Sequence, residues 1–171
     1  MSSLHPREQA GGVAADKSIA PAAAIHPSGH AQRAKLKDIL ALYGIVALGA
    51  AIGGVLRAFA SVAALAALGP GFPWGTLFVN VAGSFAIGFY ATLTAPGGRL
   101  YASTRQRQFV MTGICGGFTT FSVFSLETFR LASAGDLVLA GANIGVSIAA
   151  WLGAAWLGHL LASRINRQAG E

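Results

Sequence analysis

Charged residues are scarce in this sequence of 171 residues: they make up 11% of the chain, against 54% for apolar residues. A soluble domain carries about 25% charged residues, roughly twice this share. So few charges cannot cover the surface of a soluble protein of this size, which excludes that class. The 23 glycines fit the close packing of transmembrane helices, where glycine is frequent. The sequence therefore predicts an integral membrane protein.

Cysteine is nearly absent as well. The single residue, Cys115, excludes an intramolecular disulfide and a metal site built from several cysteines. We interpret it as a small residue of the core. The apolar runs also lack the alternation with period two that the strands of a membrane β-barrel require. These absences leave an all-α membrane fold.

The net charge of +6 raises the question of a nucleic acid partner. The basic residues form no docking face, because ten of the twelve lie in the N-terminal tail, the 95–108 connector and the C-terminus. Loops rich in Lys and Arg stay on the cytoplasmic side of a membrane, where anionic lipids attract them. We therefore expect a multi-pass protein of the cell membrane with both termini inside, and no nucleic acid partner.

The composition divides the chain into three parts. Residues 1–36 are rich in Ala, Pro, Gly, Ser and His and are predicted to form a disordered tail, in which His26 and His30 are solvated residues. No removable signal peptide is recognised. A transmembrane domain follows over 37–164, and 165–171 form a short C-terminal tail. A span needs about 20 residues, and the predicted spans are Ile39–Leu68, Trp74–Thr94, Phe109–Ala134 and Leu137–Leu161.

Small residues recur at a spacing of four, which lets helix backbones approach closely in lipid. Gly49 and Gly53 form one such pair, and Ser84 and Gly88 form another. The fourth span carries a longer ladder, made of Gly141, Gly145, Ala149 and Gly153. So many close-approach faces on a short bundle predict that some of them pack against another subunit.

Two polar residues stand out in the first two spans. A charge such as Arg57 costs about 2.5–3.5 kcal/mol at the centre of a membrane helix. It is therefore expected to face the bundle, either capping carbonyls or pairing with Glu127, or to attract ions into a wet vestibule. Asn80, in the second span, is explained either by a hydrogen bond between helices or by a place in a pore. Ser84, one turn later on the same face, extends a polar stripe.

The third span contains the least regular stretch, GICGGFTTFSVFSLE over residues 113–127. Glycine weakens a helix by roughly 1 kcal/mol relative to alanine, and threonine hydroxyls compete for backbone hydrogen bonds. A break is therefore predicted near residues 115–119, and its freed carbonyls are oxygen ligands of the kind that hard cations prefer. The alternative is that the glycines only allow tight packing of an unbroken helix.

Aromatic and polar residues follow this predicted break. Phe121 and Phe124 lie three apart, on one helical face, where they form either a core pair or a site whose positive ring edges face an anion. Ser122 and Ser125 add hydroxyl donors beside them. Glu127 comes one turn later, and an ion pair with Arg130 is the simple interpretation.

Three stretches together resemble the signature motifs of the Fluc/CrcB fluoride channel family: GGVLRAF (53–59), GTLFVNVAGSFAIG (75–88) and GICGGFTTFSVFSLE (113–127). Their order and their places on spans one, two and three match the family, and NIGVSIAAWLG (143–153) is similar to its fourth helix. The resemblance covers about residues 39–162.

The resemblance implies a channel, not an enzyme, in which fluoride leaves the cell passively through an antiparallel dimer with two pores. It also implies a central sodium ion held by backbone carbonyls of two broken third helices. Carried over to this sequence, the family's sites are the carbonyls of Gly116 and Thr119 for sodium, Asn80, Phe121, Ser122 and Phe124 for the fluoride pathway, and Arg57 and Glu127 for the vestibule. Ser84 joins the pathway as part of the polar stripe.

Two features depart from this pattern. Val123 stands where the family usually has a hydroxyl residue, so one donor of the expected track is missing. An antiparallel homodimer needs both orientations of one chain, whereas the strong charge bias predicts one preferred orientation. The chain is therefore expected to form either a homodimer or an antiparallel heterodimer with a paralogue.

Two other functions remain open from the residues. A four-helix drug/proton antiporter would need a carboxylate within the membrane, for which Glu127 is the candidate. A membrane partner without transport activity would show no fluoride flux at all.

Overall fold

The computed structural model describes residues 29–168, and all regular structure in that range is helical, as the predicted all-α class requires. The elements, in chain order, are α1 (Gly29–Leu68), α2 (Trp74–Leu93), α3 (Thr104–Arg107), a π-helix (Gln108–Cys115), α4 (Gly116–Phe118), α5 (Ser122–Ser133) and α6 (Leu137–Arg167). Of the tail predicted over residues 1–36, residues 1–28 lie outside the described range, as do the last residues, 169–171.

Four helical stretches are long and apolar enough to cross a membrane: Lys35–Leu68, Trp74–Leu93, Thr104–Ser133 and Leu137–Arg167. This count confirms the four predicted spans. The third consists of α3, the π-helix, α4 and α5 in succession. At both ends of the described chain, helix runs further than the predicted domain, beginning at Gly29 instead of 37 and ending at Arg167 instead of 164. Extending a formed helix adds one hydrogen bond per residue, so the helices continue beyond their apolar portions.

Two short connectors, α1–α2 and α5–α6, lie at the end of the bundle opposite the described chain ends. Each has a glycine in a backbone conformation that other residues rarely adopt. Gly69 has φ 76° and Gly135 has φ 89°, which glycine tolerates because it has no Cβ. The Gly69 N–H donates to the Leu65 carbonyl at 3.0 Å, which caps the end of α1. Pro73 then precedes α2. The chain therefore reverses at this end within few residues.

At the other end, a capping box starts the third span. The Gln106 N–H donates to Ser103 Oγ at 3.3 Å, and the Ser103 N–H donates to Gln106 Oε1 at 2.9 Å. This pair satisfies two backbone donors that a helix start leaves free. Arg105 then forms a salt bridge to Asp38 of α1 at 3.0 Å. The third span thus begins beside the N-terminal part of α1.

Glycines bring α1 against the first half of the third span. A Cβ at Gly49 would lie 2.7 Å from the carbonyl oxygen of Phe109, and a Cβ at Gly53 would overlap the carbonyl of Ile114. Side chains at these positions would push the two backbones apart. The predicted packing role of this glycine pair is in agreement with the structure.

The same device joins α2 to α6, since a Cβ at Gly88 would overlap the carbonyl of Ala155. The predicted ladder on α6 behaves differently. Its glycines, Gly141, Gly145 and Gly153, have no atom within 4 Å of the place of a Cβ. The ladder therefore makes no close helix contact within the described chain, and its face is open.

Candidate functional site

The backbone of the third span leaves helical geometry at residues 119–121, between α4 and α5. Thr119 is extended, with φ −83° and ψ 160°. Its N–H and its hydroxyl both donate to the Cys115 carbonyl, each at 2.9 Å, which closes the last turn before the interruption. The stretch lies just after the three glycines that predict weak helix, and the next helix begins at Ser122.

Asn80 holds the interruption from α2. Its Nδ2 donates to the Thr120 carbonyl at 2.8 Å, and its Oδ1 accepts from the Thr120 N–H at 2.7 Å. Both residues are buried. In a continuous helix the Thr120 N–H would donate to the Gly116 carbonyl, four residues back. The Asn80 side chain therefore supplies the hydrogen bonds that a continuous helix would give to the Thr120 backbone. The Gly116 carbonyl is left without the Thr120 N–H as its donor.

Arg57 reaches the same stretch from α1, where its Nη1 donates to the Thr119 carbonyl at 3.4 Å. This contact realises the first alternative for Arg57, a guanidinium that caps a carbonyl. The two ion pairs considered for Glu127 are not formed, because among residues 29–168 the only salt bridge joins Arg105 to Asp38. The predictions that Glu127 pairs with Arg57 or with Arg130 are therefore wrong.

The two phenylalanines lie together at the start of α5. Their ring centroids are 5.5 Å apart at an interplanar angle of 48°. Phe121 is 71% exposed in the single chain, whereas Phe124 is 6% exposed. Phe124 also packs its ring against Trp151 of α6 in a T-shaped contact of 4.9 Å. The three rings form a row that starts at the exposed Phe121 and continues through the buried Phe124 to the half-buried Trp151.

Hydroxyl groups surround the first turn of α5. Ser122 Oγ lies 3.3 Å from Thr120 Oγ1, which also accepts from the Val123 N–H at 3.2 Å. The Ser125 hydroxyl is occupied, since it donates to the Phe121 carbonyl at 2.9 Å. Of the two serines expected as donors, Ser122 is therefore the one whose hydroxyl faces the interruption.

A cavity of about 440 Å³ lies beside α5, at the end of the bundle that holds the 69–73 connector. Thr76, Val123, Glu127 and Arg130 are among its lining residues. Glu127 Oε2 is buried and has no hydrogen-bond partner among the described residues. Arg57 does not line this cavity, so the structure does not bring the two predicted vestibule residues together. Arg57 lies instead at the interruption.

Several site residues were missed by the sequence reasoning. Thr120, the partner of Asn80, was noted only as a helix breaker. Thr76, which lines the cavity, precedes Asn80 by four residues, a spacing that places both on one helix face. Asn143 is 1% exposed, and its Nδ2 donates to Thr128 Oγ1 at 2.8 Å. Its polarity within an apolar span is a signal that could have found it, because such residues are costly in a membrane.

Comparison with known proteins identifies the family of this chain. A family model described as "CrcB-like protein, Camphor Resistance (CrcB)" matches residues 44–159. The "Fluoride-specific ion channel FluC 1" of Rhodopseudomonas palustris (strain BisB18) is 60% identical over 136 residues, which cover 80% of this chain and 96% of that protein. The "Fluoride-specific ion channel FluC" of Opitutus terrae (strain DSM 11246 / JCM 15787 / PB90-1) is 51% identical over 132 residues, 77% of this chain and 100% of that protein.

These matches span the four predicted helices and confirm the resemblance that the three sequence motifs indicate. The family model covers more than half of the chain, and both relatives are covered almost completely at more than 50% identity. The chain therefore belongs to the CrcB family.

Proposed function

We propose that this chain forms a fluoride-selective channel, which lets fluoride leave the cell down its electrochemical gradient and carries out no enzymatic reaction. The relatives are named fluoride-specific ion channels. The observation that carries the proposal is the clasp between the Asn80 side chain and the Thr120 backbone. It holds open a non-helical stretch at membrane depth, which survives only where it is buried in protein or lines a polar path.

The interruption exposes two helix ends of opposite polarity. Helix α5 begins at Ser122, and the free N–H groups of a helix start carry a partial positive charge. Donors of this kind attract an anion, and the adjacent Ser122 hydroxyl adds another. A pore for fluoride must replace the water around the ion with such donors. Phe121 and Phe124 would supply positive ring edges without a fixed charge that would trap the ion.

The contacts of Asn80 sharpen its role in this pathway. Its Nδ2 has two hydrogens, and the Thr120 carbonyl takes one of them. The second hydrogen is available to a passing anion, while the first keeps the backbone of the interruption in place. We therefore assign Asn80 two tasks, positioning the path and contacting the ion. Ser84, half-buried one turn further along α2, would continue the path.

We propose a structural sodium ion at the opposite helix end. Backbone carbonyls at the C-terminus of a helix carry partial negative charge, and hard cations take oxygen ligands. The Gly116 carbonyl lacks its helical donor, and the Thr119 carbonyl accepts only a long contact from Arg57. These two oxygens would hold the ion, and its charge would offset the carbonyl dipoles. Residues 29–168 contain no cluster of three His, Cys, Asp or Glu side chains, so the carbonyls are the ligands to consider.

The single chain leaves this site incomplete, which supports a dimer. Gly116 and Phe121 are exposed, and the ladder of Gly141, Gly145, Ala149 and Gly153 is open as well. Carbonyls at membrane depth must be covered by protein or water. A second chain in the antiparallel orientation would cover them and create a second, equivalent pathway.

The charge distribution bears on the identity of that second chain and on its membrane. Of the ten basic residues among residues 29–168, eight lie at the end of the bundle with the described chain ends and the 95–108 connector. Such a bias fixes one orientation in the cell membrane, with the basic end in the cytoplasm. An antiparallel partner then has to be a chain of opposite bias. We therefore propose a paralogue as the partner in the cell, and a homodimer where both orientations are allowed.

The antiporter alternative retains one supporting observation, the buried Glu127 Oε2 without a partner beside a cavity. A proton-coupled exporter would need such a carboxylate to exchange a proton for substrate. Its flux would depend on a pH gradient and would stop in Glu127→Gln. Channel flux would follow the fluoride gradient and the membrane potential alone.

The test is efflux from liposomes that contain this chain alone, recorded with fluoride-selective and chloride-selective electrodes. A potassium ionophore sets the potential, and empty liposomes give the background leak. We expect rapid fluoride efflux, chloride efflux at background and no effect of a pH gradient. Equal release of both anions would contradict selectivity. In another outcome, the single chain releases fluoride only at the background rate, and co-reconstitution with a paralogue of opposite charge bias restores rapid efflux. That result would assign the activity to the heterodimer.

A further inference from the structure

Trp151, in the middle of α6, has a buried polar group that no contact explains. Its indole Nε1 is inaccessible to solvent and has no hydrogen-bond partner among the described residues. This nitrogen can only donate, and a buried tryptophan N–H usually finds an acceptor. Leaving such a donor unpaired in a protein interior is costly. An acceptor is therefore expected at this place in the working protein.

The position of Trp151 indicates what that acceptor is. Its ring makes the T-shaped contact with Phe124 at 4.9 Å, and Phe124 in turn contacts Phe121 at 5.5 Å. The indole is thus at the other end of the row of rings that starts at the exposed Phe121. Every member of this row can present a positive ring edge, and Trp151 adds a true N–H donor.

The neighbouring sequence makes this donor more important here. Val123 precedes Phe124 and offers no hydroxyl where the resemblance to the family leads one to expect one. The indole of Trp151, whose ring contacts the same phenylalanine, can supply an N–H donor from α6. Trp151 is held by α6, whereas Val123 belongs to α5, so the two positions are independent in the fold.

We propose that the Trp151 N–H donates a hydrogen bond to the permeating anion as it passes Phe124, which makes Trp151 a further residue of the pathway. The proposal rests on the proposed fluoride channel function. The acceptor it names is a small, unprotonated anion. The competing acceptor is a carbonyl of the second chain in a dimer, which would give Trp151 a structural role only.

The first experiment compares fluoride efflux from liposomes for Trp151→Phe and Trp156→Phe. Trp151→Phe keeps an aromatic ring against Phe124 and removes the donor. Trp156 lies on the same helix and is 64% exposed, so its replacement serves as the matched control. A hydrogen bond to a charged group is worth enough that we expect flux to fall about tenfold in Trp151→Phe. We expect Trp156→Phe to match the unmodified protein.

The second experiment does not depend on how well Trp151→Phe folds. In Trp74→Phe/Trp156→Phe, the emission reports on Trp151 alone. We expect added sodium fluoride to shift this emission to longer wavelength, because an anion at the N–H stabilises the excited indole. Sodium chloride at equal ionic strength should leave it unchanged.

Each result decides the question. Unchanged flux in Trp151→Phe, equal losses in both single variants, or an emission that ignores fluoride would overturn the proposal and leave a structural role. Absence of fluoride flux in the unmodified protein is a different failure, because it contradicts the channel function itself. The emission of Trp151 would still show in that case whether the anion binds.

Discussion

Asn80 and Asn143 are both buried amides within membrane helices, 5% and 1% exposed, yet they bond to different kinds of group. Asn80 gives its oxygen and one N–H to the backbone of Thr120. Asn143 donates to the hydroxyl of Thr128 and accepts from the hydroxyl of Ser147. The first amide takes the place of missing helical hydrogen bonds. The second lies within α6 and joins it through side chains to α5.

The difference matters when either amide is removed, because the groups that lose their hydrogen-bond partner differ in whether they can find another. A backbone N–H or carbonyl in the membrane interior cannot turn towards another partner. The Thr128 hydroxyl can, and it already donates to the Phe124 carbonyl at 2.8 Å. Burial alone would rank Asn143 as the more important residue. The chemistry of the partners ranks Asn80 first.

The largest effect is therefore expected for Asn80→Ala. It leaves the Thr120 N–H and carbonyl unpaired, at a cost of about 2–6 kcal/mol for two buried groups. We expect lower thermal stability in detergent, followed by size-exclusion chromatography after heating, and loss of nearly all fluoride flux.

Asn80→Asp tests the donor of this clasp, since an ionised carboxylate accepts from the Thr120 N–H and cannot donate to the Thr120 carbonyl. We expect it to be no more stable than Asn80→Ala, because a charge within a membrane helix is costly, and to be inactive as well. If Asn80→Ala conducts fluoride normally, the clasp neither positions the path nor contacts the ion.

A glycine beside the interruption tests whether the position of the backbone matters as such. In Gly53→Ala the new Cβ would overlap the Ile114 carbonyl and lie 2.7 Å from the Phe118 nitrogen. Overpacking of this kind costs about 1–3 kcal/mol, and it moves the helix end just before Thr119. We expect a lower unfolding temperature and reduced flux.

Gly145→Ala is the matched control for this change, because no atom lies within 4 Å of its Cβ position. Within one chain it should be neutral. A loss of dimer on size-exclusion chromatography in Gly145→Ala alone would instead identify the ladder as the contact with the second chain.

Asn143→Ala measures the other half of the comparison. A hydrogen bond between membrane helices contributes about 0.6 kcal/mol on average and about 1.7 kcal/mol at most. We expect a small decrease in thermal stability and fluoride flux within about threefold of the unmodified protein, since about 0.6 kcal/mol corresponds to a factor of about three when about 1.4 kcal/mol is tenfold. A loss of flux as large as that of Asn80→Ala would break the distinction between the two amides.

The sequence was sufficient for the fold class and the four spans, whereas the break predicted near residues 115–119 lies at 119–121, after the short helix α4. These follow from terms that act locally, such as the length of an apolar run or the weakness of glycine in a helix. The cost of a polar residue in lipid also pointed correctly to Arg57 and Asn80 as residues with specific contacts.

The partners of these residues could not be read in the same way. The sequence gives no distance between Asn80 and Thr120, which are 40 positions apart, so the clasp depends on how α2 packs against the third span. Glu127 and Arg130 lie three positions apart, which suggested an ion pair. Among the described residues the structure shows no salt bridge between them, although both side chains line the cavity beside α5.

The smallest expected effect concerns Val123, which is 38% exposed and lines the cavity together with Thr76 and Glu127. Val123→Thr preserves the shape of the side chain and adds one hydroxyl on the same turn as Ser122. A threonine in a helix can bond back to its own backbone, which limits how much of the new donor an anion receives. We therefore expect fluoride efflux from liposomes to rise by a modest factor, about two- to fivefold, as for a partial hydrogen bond.

Val123→Ala is the control for this last change, because it widens the cavity wall without adding a donor. If both variants speed efflux equally, space limits the flux at this position and the hydroxyl does not. If Val123→Thr is no faster than the unmodified protein, position 123 lies outside the pathway. A faster rate in Val123→Thr but not in Val123→Ala would show that the pathway of the unmodified protein lacks a hydrogen-bond donor at position 123. The same change made in Trp151→Phe should then recover part of the lost flux, because one donor substitutes for another along a single row of rings.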